Sequence, residues 1–241
     1  MTRCFEHRDY QVYSDEDQSL ARQLVDAVLD ERIERVRVFR DNRRTLSARV
    51  AFEGRSLMLK VPRARNLRRW ERFLTRFRHG EGVRIFQNLR LLKSLGLNAP
   101  APVLAAEKRE NGVVTGSFVL YHFAEGAPAG EEDAGRVLEA LLRLHSLGYI
   151  RTDPQPANFL MSEKGVVFID FRLKRPGLLG RFRRNLELAK FLRGFPAAER
   201  HLQASDTGLS LKLARLVDRL LFGMRNAKRK LRRVIRSKPA K

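Results

Sequence analysis

One stretch in the second half of the chain constrains the fold more than any other. An apolar helical run is followed by a loop that holds Asp153 and Asn158, and a β-rich run then ends at Asp170. Phosphoryl transfer from ATP uses this order of groups. One carboxylate accepts the proton of the acceptor hydroxyl, while the amide oxygen and the second carboxylate hold magnesium. No single residue in this stretch is diagnostic. The order of helix, loop, hairpin and strand-end Asp is the feature that favours this chemistry.

Each of these residues also has a purely local interpretation. Asp153 precedes a proline and could form a turn, and Asn158 could cap the same turn. The joint spacing of Asp153, Asn158 and Asp170 favours the chemical interpretation. His145, at the end of the preceding helix, is expected to be a core residue or a support for the loop.

The charge of the chain is extreme for a protein of 241 residues. It has 49 Lys and Arg against 27 Asp and Glu, a formal net charge of +22. Such an excess indicates an anionic partner, which could be nucleic acid, acidic lipid or a polyphosphorylated substrate. General solubility is the alternative, but it does not require so much self-repulsion.

Cysteine content and hydropathy argue against disulfide-bonded, cysteine-metal and membrane-spanning proteins. The single cysteine, Cys4, excludes disulfides within the chain and a metal site built from clustered cysteines. The first residues lack the apolar core of a signal peptide, and no apolar run is long enough to cross a membrane. We therefore expect a protein of the reducing cytoplasm that could still lie against a membrane face.

The first half of the chain predicts a sheet interrupted by one long helix. A short amphipathic helix is expected over residues 15–30. A longer helix, with one apolar face, follows Gly80 and stops at Gly96. Strand patterns predict five strands, near residues 36–40, 45–52, 56–61, 103–107 and 113–123. Asn111-Gly112 between the last two is a strong hairpin signal.

Lys60 ends the third predicted strand, where a lysine can reach the α- and β-phosphates of a nucleotide. The alternative is an exposed strand lysine whose stem covers apolar surface. Glu81 is the candidate ion-pair partner of Lys60, although it could instead stabilise the start of the long helix. Gln87 lies where such a partner would fall in the usual packing register.

The C-terminal part is basic and helical. Apolar residues at helical spacing are expected to pack on the core: Leu211, Leu213, Leu216, Val217, Leu220, Leu221 and Met224. Residues 225–241 hold nine Lys or Arg and no acid. This composition is typical of an interfacial helix or a polybasic membrane anchor. A nucleic-acid-binding tail is less favoured, because few aromatic residues are available for base stacking.

With these residues placed, the chain resembles the protein-kinase-like superfamily. More narrowly, it resembles the lipopolysaccharide core kinases, in the heptose(II) kinase-like branch, over roughly residues 33–221. The matching segments are Leu59-Lys60-Val61-Pro62, Glu81-Gly82-Val83-Arg84, Tyr121 to Gly126, and the set Asp153, Asn158 and Asp170. The resemblance implies an α+β, two-lobed protein-kinase-like fold, with an N-terminal antiparallel sheet lobe and a helical C-terminal lobe.

The resemblance also implies roles for individual residues. Asp153 would be the catalytic base, and Asn158 and Asp170 the Mg²⁺ ligands. Lys60, paired with Glu81, would bind the ATP phosphates. Adenine would lie at the hinge between the lobes, held mostly by backbone groups of Tyr121, His122 and Phe123.

The chain departs from protein kinases at three motifs, and the last two departures point away from a protein substrate. Arg151-Thr152-Asp153 replaces His-Arg-Asp, and Asp170-Phe171-Arg172 replaces Asp-Phe-Gly. No glycine-rich loop joins the first two predicted strands, where Asp41-Asn42-Arg43-Arg44 stands instead. The loss of Asp-Phe-Gly and of the glycine-rich loop fits a small-molecule or glycolipid kinase better than a kinase switched through an activation loop.

The expected function is therefore ATP-dependent phosphorylation of a heptose hydroxyl in the lipopolysaccharide inner core. The resembling family acts at the cytoplasmic face of the inner membrane, and its anionic, membrane-embedded acceptor agrees with the charge of +22. The alternative is a non-catalytic, pseudokinase-type basic protein that binds anionic membrane or RNA. An aminoglycoside phosphotransferase would need an acidic pocket for its cationic drug, and the charge here has the wrong sign.

The expected organisation has four parts. Residues 1–32 would be an N-terminal extension with a short helix, and residues 33–124 the sheet lobe. Residues 125–224 would be the helical lobe with the catalytic loop, and residues 225–241 the basic tail.

Overall fold

The protein is described by a computed structural model that covers residues 2–63, 69–151, 154–170, 172–203 and 208–237. The chain divides into two compact units, Met1–Glu125 and Gly126–Lys241. Each unit buries its own set of apolar side chains.

The first unit contains one antiparallel sheet. Its strands are β1 (Arg3–His7), β2 (Tyr10–Ser14), β3 (Glu34–Asp41), β4 (Leu46–Phe52), β5 (Arg55–Val61), β6 (Pro102–Glu110) and β7 (Val113–His122). They lie in the order β1-β2-β6-β7-β5-β4-β3. Leu57 and Leu59 of β5 are buried on one face, so Met58 and Lys60 lie on the other.

Helices cover both faces of this sheet. They are α1 (Gln18–Leu29), the short α2 (Arg69–Leu74) and α3 (Glu81–Ser94). The Asp17 carboxylate caps α1 by accepting the backbone N–H groups of Ser19 and Leu20. α1 packs on the face that holds Leu57 and Leu59. α3 packs on the opposite face, where Val83 and Phe86 meet Ala105 and Val119.

The sheet is larger than the residue pattern predicts. The five expected strands are all present, but β1 and β2 extend the sheet to seven strands. β2 joins it by pairing with β6, from Tyr10 opposite Lys108 to Ser14 opposite Leu104. The first 32 residues therefore supply two strands and a helix that packs in the core of the first unit.

The second unit is mainly helical. Its helices are α4 (Ala134–Ser146), α5 (Gly180–Gly194) and α6 (Leu209–Ser237). Its short strands are β8 (Ala127–Pro128), β9 (Ile150–Arg151), β10 (Phe159–Ser162), β11 (Gly165–Phe168) and β12 (Leu173–Lys174). β10 pairs with β11 and β8, and β9 pairs with β12.

An aromatic core fixes the β10–β11 hairpin in this unit. The Phe159 and Phe168 rings are fully buried, with centroids 5.5 Å apart. Phe191 of α5 packs against Phe159 at 6.0 Å. The two strands thus have a defined position relative to α5.

The expected packing of α6 is wrong for most of its apolar residues. Leu211 is buried, but Leu213, Leu216, Leu220 and Met224 are exposed. The helix has two apolar sides in this segment, and a helix can bury only the side that faces its neighbour. Here the neighbour is α5, and Leu211 and Ala214 lie on the buried side.

The predicted fold class is confirmed. The first unit is an antiparallel sheet with one long helix on each face, and the second is helical with short hairpins that carry the predicted loop. These two units match the predicted α+β class, with an antiparallel sheet in the N-terminal part and helices in the C-terminal part.

Candidate functional site

Lys60 occupies the sheet face that α3 also covers. It is half-buried near the end of β5 and lies opposite Ser47 in β4 and Val119 in β7. Cross-strand partners share a face, and Val119 is buried under α3. The ammonium group of Lys60 therefore belongs to the α3 side of the sheet, away from the α1 core.

Glu81 is the first residue of α3, and two glycines beside it let the helix start close against the sheet. A Cβ at Gly82 would lie 2.6 Å from the carbonyl oxygen of Phe118 in β7. Gly80 is the N-cap residue, and its N–H donates to Oε2 of Glu107 at 2.7 Å. Since Glu107 is fully buried, it fixes the start of α3 and hence the position of Glu81.

Glu107 receives further hydrogen bonds that tie the segment before α3 to the β6–β7 hairpin. Arg109 donates to its Oε1 through Nε at 2.9 Å, and Nη2 of Arg109 forms an ion pair with the same oxygen at 2.8 Å. Arg109 also donates to the carbonyl oxygens of Thr75 and Arg78. A buried carboxylate that is paired and fully hydrogen-bonded holds its neighbours in one geometry.

The environment of Glu81 agrees with a functional carboxylate, and that of Gln87 does not. The side chain of Glu81 is only 10% exposed, and its Oε2 lies 3.6 Å from Nη1 of Arg84. Gln87 is exposed, on the side of α3 away from the sheet. Gln87 is therefore wrong as a partner for Lys60, while the pairing of Lys60 with Glu81 stays a prediction.

The predicted hinge residues are half-buried at the end of β7. The His122 N–H donates to the carbonyl oxygen of Ala101 at 2.9 Å, and the Phe123 N–H donates to that of Ser56 at 3.0 Å. Both of these N–H groups therefore already donate to carbonyl oxygens of the protein. An adenine contact at these residues would rest on their carbonyl oxygens or side chains, whereas the sequence suggested backbone groups in general.

Arg49 of β4 holds the chain that follows β7. Its guanidinium lies 4.5 Å from the centroid of the Phe123 ring and 3.6 Å from the Glu125 carboxylate. Its Nε donates to the hydroxyl of Ser56 at 2.8 Å. Phe39 stacks on Phe123 with ring centroids 6.0 Å apart. The residue pattern did not indicate Arg49, because its partners are distant in sequence.

In the second unit, the structure brings Asn158 and Asp170 together. Asn158 immediately precedes β10, and Asp170 follows β11 by two residues. The register pairs Phe159 with Phe168, and the Ile169 N–H donates to the Asn158 carbonyl oxygen at 3.0 Å. The two residues therefore lie at the same end of the hairpin, as the sequence predicts.

The local backbone presents Asp170 to solvent. Asp170 is exposed and has a positive φ of 45°, a left-handed conformation that Asp and Asn adopt more readily than most residues. Asn158 ends a short 3₁₀ segment, Pro156–Asn158, and is half-buried. An amide oxygen and a carboxylate at one hairpin end are hard ligands of the kind that Mg²⁺ prefers.

Asp153 lies outside the described residues, so its role stays a prediction. The chain just before it is held by two contacts of Arg151. Arg151, two residues earlier, pairs with Leu173, three residues after Asp170. Its guanidinium lies 4.2 Å from the centroid of the buried Phe159 ring. The segment that leads to Asp153 is thus attached to the same aromatic core as Asn158.

Glu187 of α5 is the main feature that sequence reasoning missed. It is buried, and both of its carboxylate oxygens lie 2.8 Å from the Arg151 backbone nitrogen. Its Oε2 also lies 3.1 Å from Nε2 of His145, which is buried as well. The expectation that His145 supports the loop is therefore confirmed, with Glu187 linking it to β9.

Comparison with known proteins identifies the family of this chain. Residues 1–197 match the family described as "Lipopolysaccharide core biosynthesis protein (WaaY)". The chain belongs to the WaaY family. It is a lipopolysaccharide core heptose kinase, as its resemblance implied.

None of the curated protein sequences matches this member of the WaaY family. Among solved structures, one described as "WaaP in complex with acyl carrier protein" matches at 17% sequence identity with a TM-score of 0.49. The match covers 78% of this chain and 81% of that one.

The candidate site residues of this WaaY-family protein and the residues that support them differ in the sequence signal that they carry. Lys60, Asn158 and Asp170 stand in short local patterns that the sequence displays. Glu107 and Glu187 act through partners far along the chain. Their only sequence signal is an acidic residue within an apolar strand or helix, which by itself is weak.

Proposed function

We propose that the protein uses ATP with Mg²⁺ to phosphorylate its heptose acceptor, with Asn158 and Asp170 as the metal ligands. The hydrogen bond from Ile169 to the Asn158 carbonyl carries this assignment, since it supports the placement of both side chains at one end of the β10–β11 hairpin.

The donor set fits magnesium. Mg²⁺ is usually held in proteins by one or two carboxylates, and phosphates and water complete the octahedron. Asn158 and Asp170 supply two oxygens, and the described residues contain no cluster of three His, Cys, Asp or Glu that would favour another metal. When bound, the ion neutralises charge that develops on the phosphates.

Lys60 and Glu81 are proposed to act on the phosphates of ATP. Lys60 supplies a cation on the α3 side of the sheet, and Glu81 is held at the start of α3 by Glu107 and by the close approach at Gly82. Carbonyl oxygens or side chains of Tyr121, His122 and Phe123 would contact adenine.

Asp153 is proposed as the general base. It would accept the proton of the heptose hydroxyl while that oxygen forms a bond to the γ-phosphorus and the bond from the γ-phosphorus to the leaving ADP oxygen breaks. Glu187 would act on this step only indirectly, by fixing the backbone at Arg151.

The test is transfer of phosphate from ATP to purified core oligosaccharide, read by mass spectrometry. Asp153→Ala should lower the rate by roughly 10²–10⁴-fold, as is usual for loss of a general base. Asp170→Ala should lower it at least as much. Glu163→Ala is the matched control, since Glu163 is an exposed acid at the opposite end of the same hairpin. The metal assignment fails if Asp170→Ala keeps the parent rate.

The same experiment answers two further questions. If the parent protein does not bind ATP with Mg²⁺, or does not phosphorylate the core, the proposed chemistry fails. Fragmentation of the phosphorylated product identifies the sugar and the hydroxyl that are modified.

We also propose that the protein works at the cytoplasmic face of the inner membrane, attached through its basic tail. No helix among the described residues is long and apolar enough to cross a bilayer. The nine cations of residues 225–241 can each add on the order of 1 kcal/mol near an anionic surface. Binding to anionic vesicles should therefore weaken as salt is raised, and removal of residues 226–241 should reduce it.

A further inference from the structure

Helix α6 has one side that packs on its own unit. Leu211 and Ala214 are buried on this side. Asp218 is buried there too, and its carboxylate accepts hydrogen bonds from Arg193 of α5, the shorter at 2.6 Å. This side anchors the first half of α6 and leaves the opposite side outward.

The outward side carries an apolar stripe. Its members are Leu209, Leu213, Leu216, Leu220 and Met224, which are 54–83% exposed. Their spacing of three or four residues places them in one row along the helix. The exposed Ala227 continues the row along the helix. At about 1.5 Å per residue, the stripe from Leu209 to Ala227 is about 27 Å long.

Cations border this stripe. Lys212, Arg215 and Arg219 lie on one flank, and Lys228 falls on the other by its position in the helix. The sole acid between residues 209 and 241 is Asp218, which is already paired with Arg193. Among the described residues, the outward surface of α6 therefore carries apolar and positive groups and no acid.

This combination favours an anionic lipid surface as the occupant. A second copy of the chain would bring another net charge of +22 against these cations. A one-sided apolar row with basic flanks is the pattern of a helix that lies in the plane of a bilayer. We propose that α6 is such an interfacial helix, with Leu213, Leu216 and Leu220 inserted among the lipid chains. The inference rests on the membrane attachment proposed above.

The proposal changes the expected nature of the attachment. Cations alone give binding that high salt removes, because salt screens charges beyond about 8 Å at physiological ionic strength. An inserted apolar stripe leaves a component that salt does not remove. Attachment also begins at Leu209, well before the basic tail.

The experiment is co-sedimentation of the full chain with vesicles of phosphatidylethanolamine and phosphatidylglycerol, at low and high salt. The test variant is Leu216→Gln with Leu220→Gln. The matched control is Leu178→Gln, because Leu178 is 90% exposed in the same unit but lies outside α6. Transfer of two inserted leucines to water should weaken binding at high salt by at least about 100-fold, roughly tenfold for each. The control should bind as the parent does.

Several results would overturn the proposal. Parental binding of the double variant at high salt would show that the stripe does not enter lipid. Conversion of a parental dimer to a monomer, with vesicle binding unchanged, would show that a second copy covers the stripe. Turnover of a soluble, delipidated core acceptor is measured in parallel. Activity there with no vesicle binding refutes only the membrane role, whereas parental inactivity refutes the proposed chemistry.

Discussion

The close approach of α3 to the sheet at Gly82 can be tested by adding a single methyl group. In Gly82→Ala the new Cβ would lie 2.6 Å from the Phe118 carbonyl oxygen and 2.9 Å from its carbon, whereas ordinary contacts begin at 3.4 Å. Both neighbours are backbone atoms of a central strand, which cannot rotate away. The start of α3 must therefore move by about 0.8 Å, the difference between the required and available distances.

The expected loss of stability follows from two opposing effects. Overpacking of this kind costs about 1–3 kcal/mol. Alanine gains up to about 1 kcal/mol over glycine in a helix. Because both neighbours are fixed backbone atoms, the overpacking cost belongs in the upper part of that range, at about 2–3 kcal/mol. Subtraction of the helical gain leaves a net loss of about 1–2 kcal/mol, and the thermal midpoint should fall by roughly 2–8 °C. Gly223→Ala in α6 is the matched control, since its Cβ would meet nothing within 4 Å. That variant should keep the parental midpoint or exceed it.

Thermal denaturation followed by circular dichroism decides the packing argument, and ATP kinetics decide the functional one. A midpoint for Gly82→Ala at or above the parental value would refute the packing argument. Because Glu81 directly precedes Gly82, its displacement should also raise the KM for ATP. A lower midpoint with an unchanged KM for ATP would support the packing argument but show that Glu81 is not part of the nucleotide site.

Three further perturbations have defined outcomes. Glu187→Gln keeps the side-chain volume but weakens a charge-assisted hydrogen bond to Arg151, so kcat should fall about tenfold while the KM for ATP stays near the parental value in steady-state assays. Gln87→Ala should keep full activity and Glu81→Gln should not, and equal losses in the two variants would contradict the placement of Gln87 on the outer side of α3. Burial raises the pKa of Tyr13 to about 12. Its unfolded form loses the proton first, near pH 10, so the stability of the first unit should fall between about pH 10 and 12. Tyrosinate absorbance should show a late ionisation that Tyr13→Phe removes.

The sequence predicts the placement of the candidate metal ligands better than that of the buried carboxylates that hold the neighbouring segments. Asn158 and Asp170 stand twelve residues apart, on either side of a hairpin, so their approach follows from local pairing alone. The carboxylates of Glu107 and Glu187 act on the chain 27 and 36 residues away, at Gly80 and Arg151. No periodic pattern encodes such contacts, because they depend on how separate elements pack.

Turn chemistry and helix packing explain why the sequence does not predict two features of the fold, the β1–β2 hairpin and the buried side of α6. The β1–β2 hairpin turns at Arg8 and Asp9, which both have positive φ, although neither is the glycine or asparagine that usually marks such a turn. At Asn111-Gly112, where the usual pair is present, the hairpin was predicted. For α6, hydrophobic periodicity identifies the helix but cannot say which of two apolar sides meets α5.

The pairing of β2 with β6 has a consequence for how this chain is made. β6 is buried from Pro102 to Glu107, and β2 covers the edge that β7 does not. β2 leaves the ribosome long before β6 does, so it must wait for a distant partner, and non-local pairings of this kind form slowly. A shortened chain that begins after Ser14 would present a long apolar edge strand with unpaired backbone groups. Such a chain should aggregate during expression even though every residue proposed for catalysis is retained.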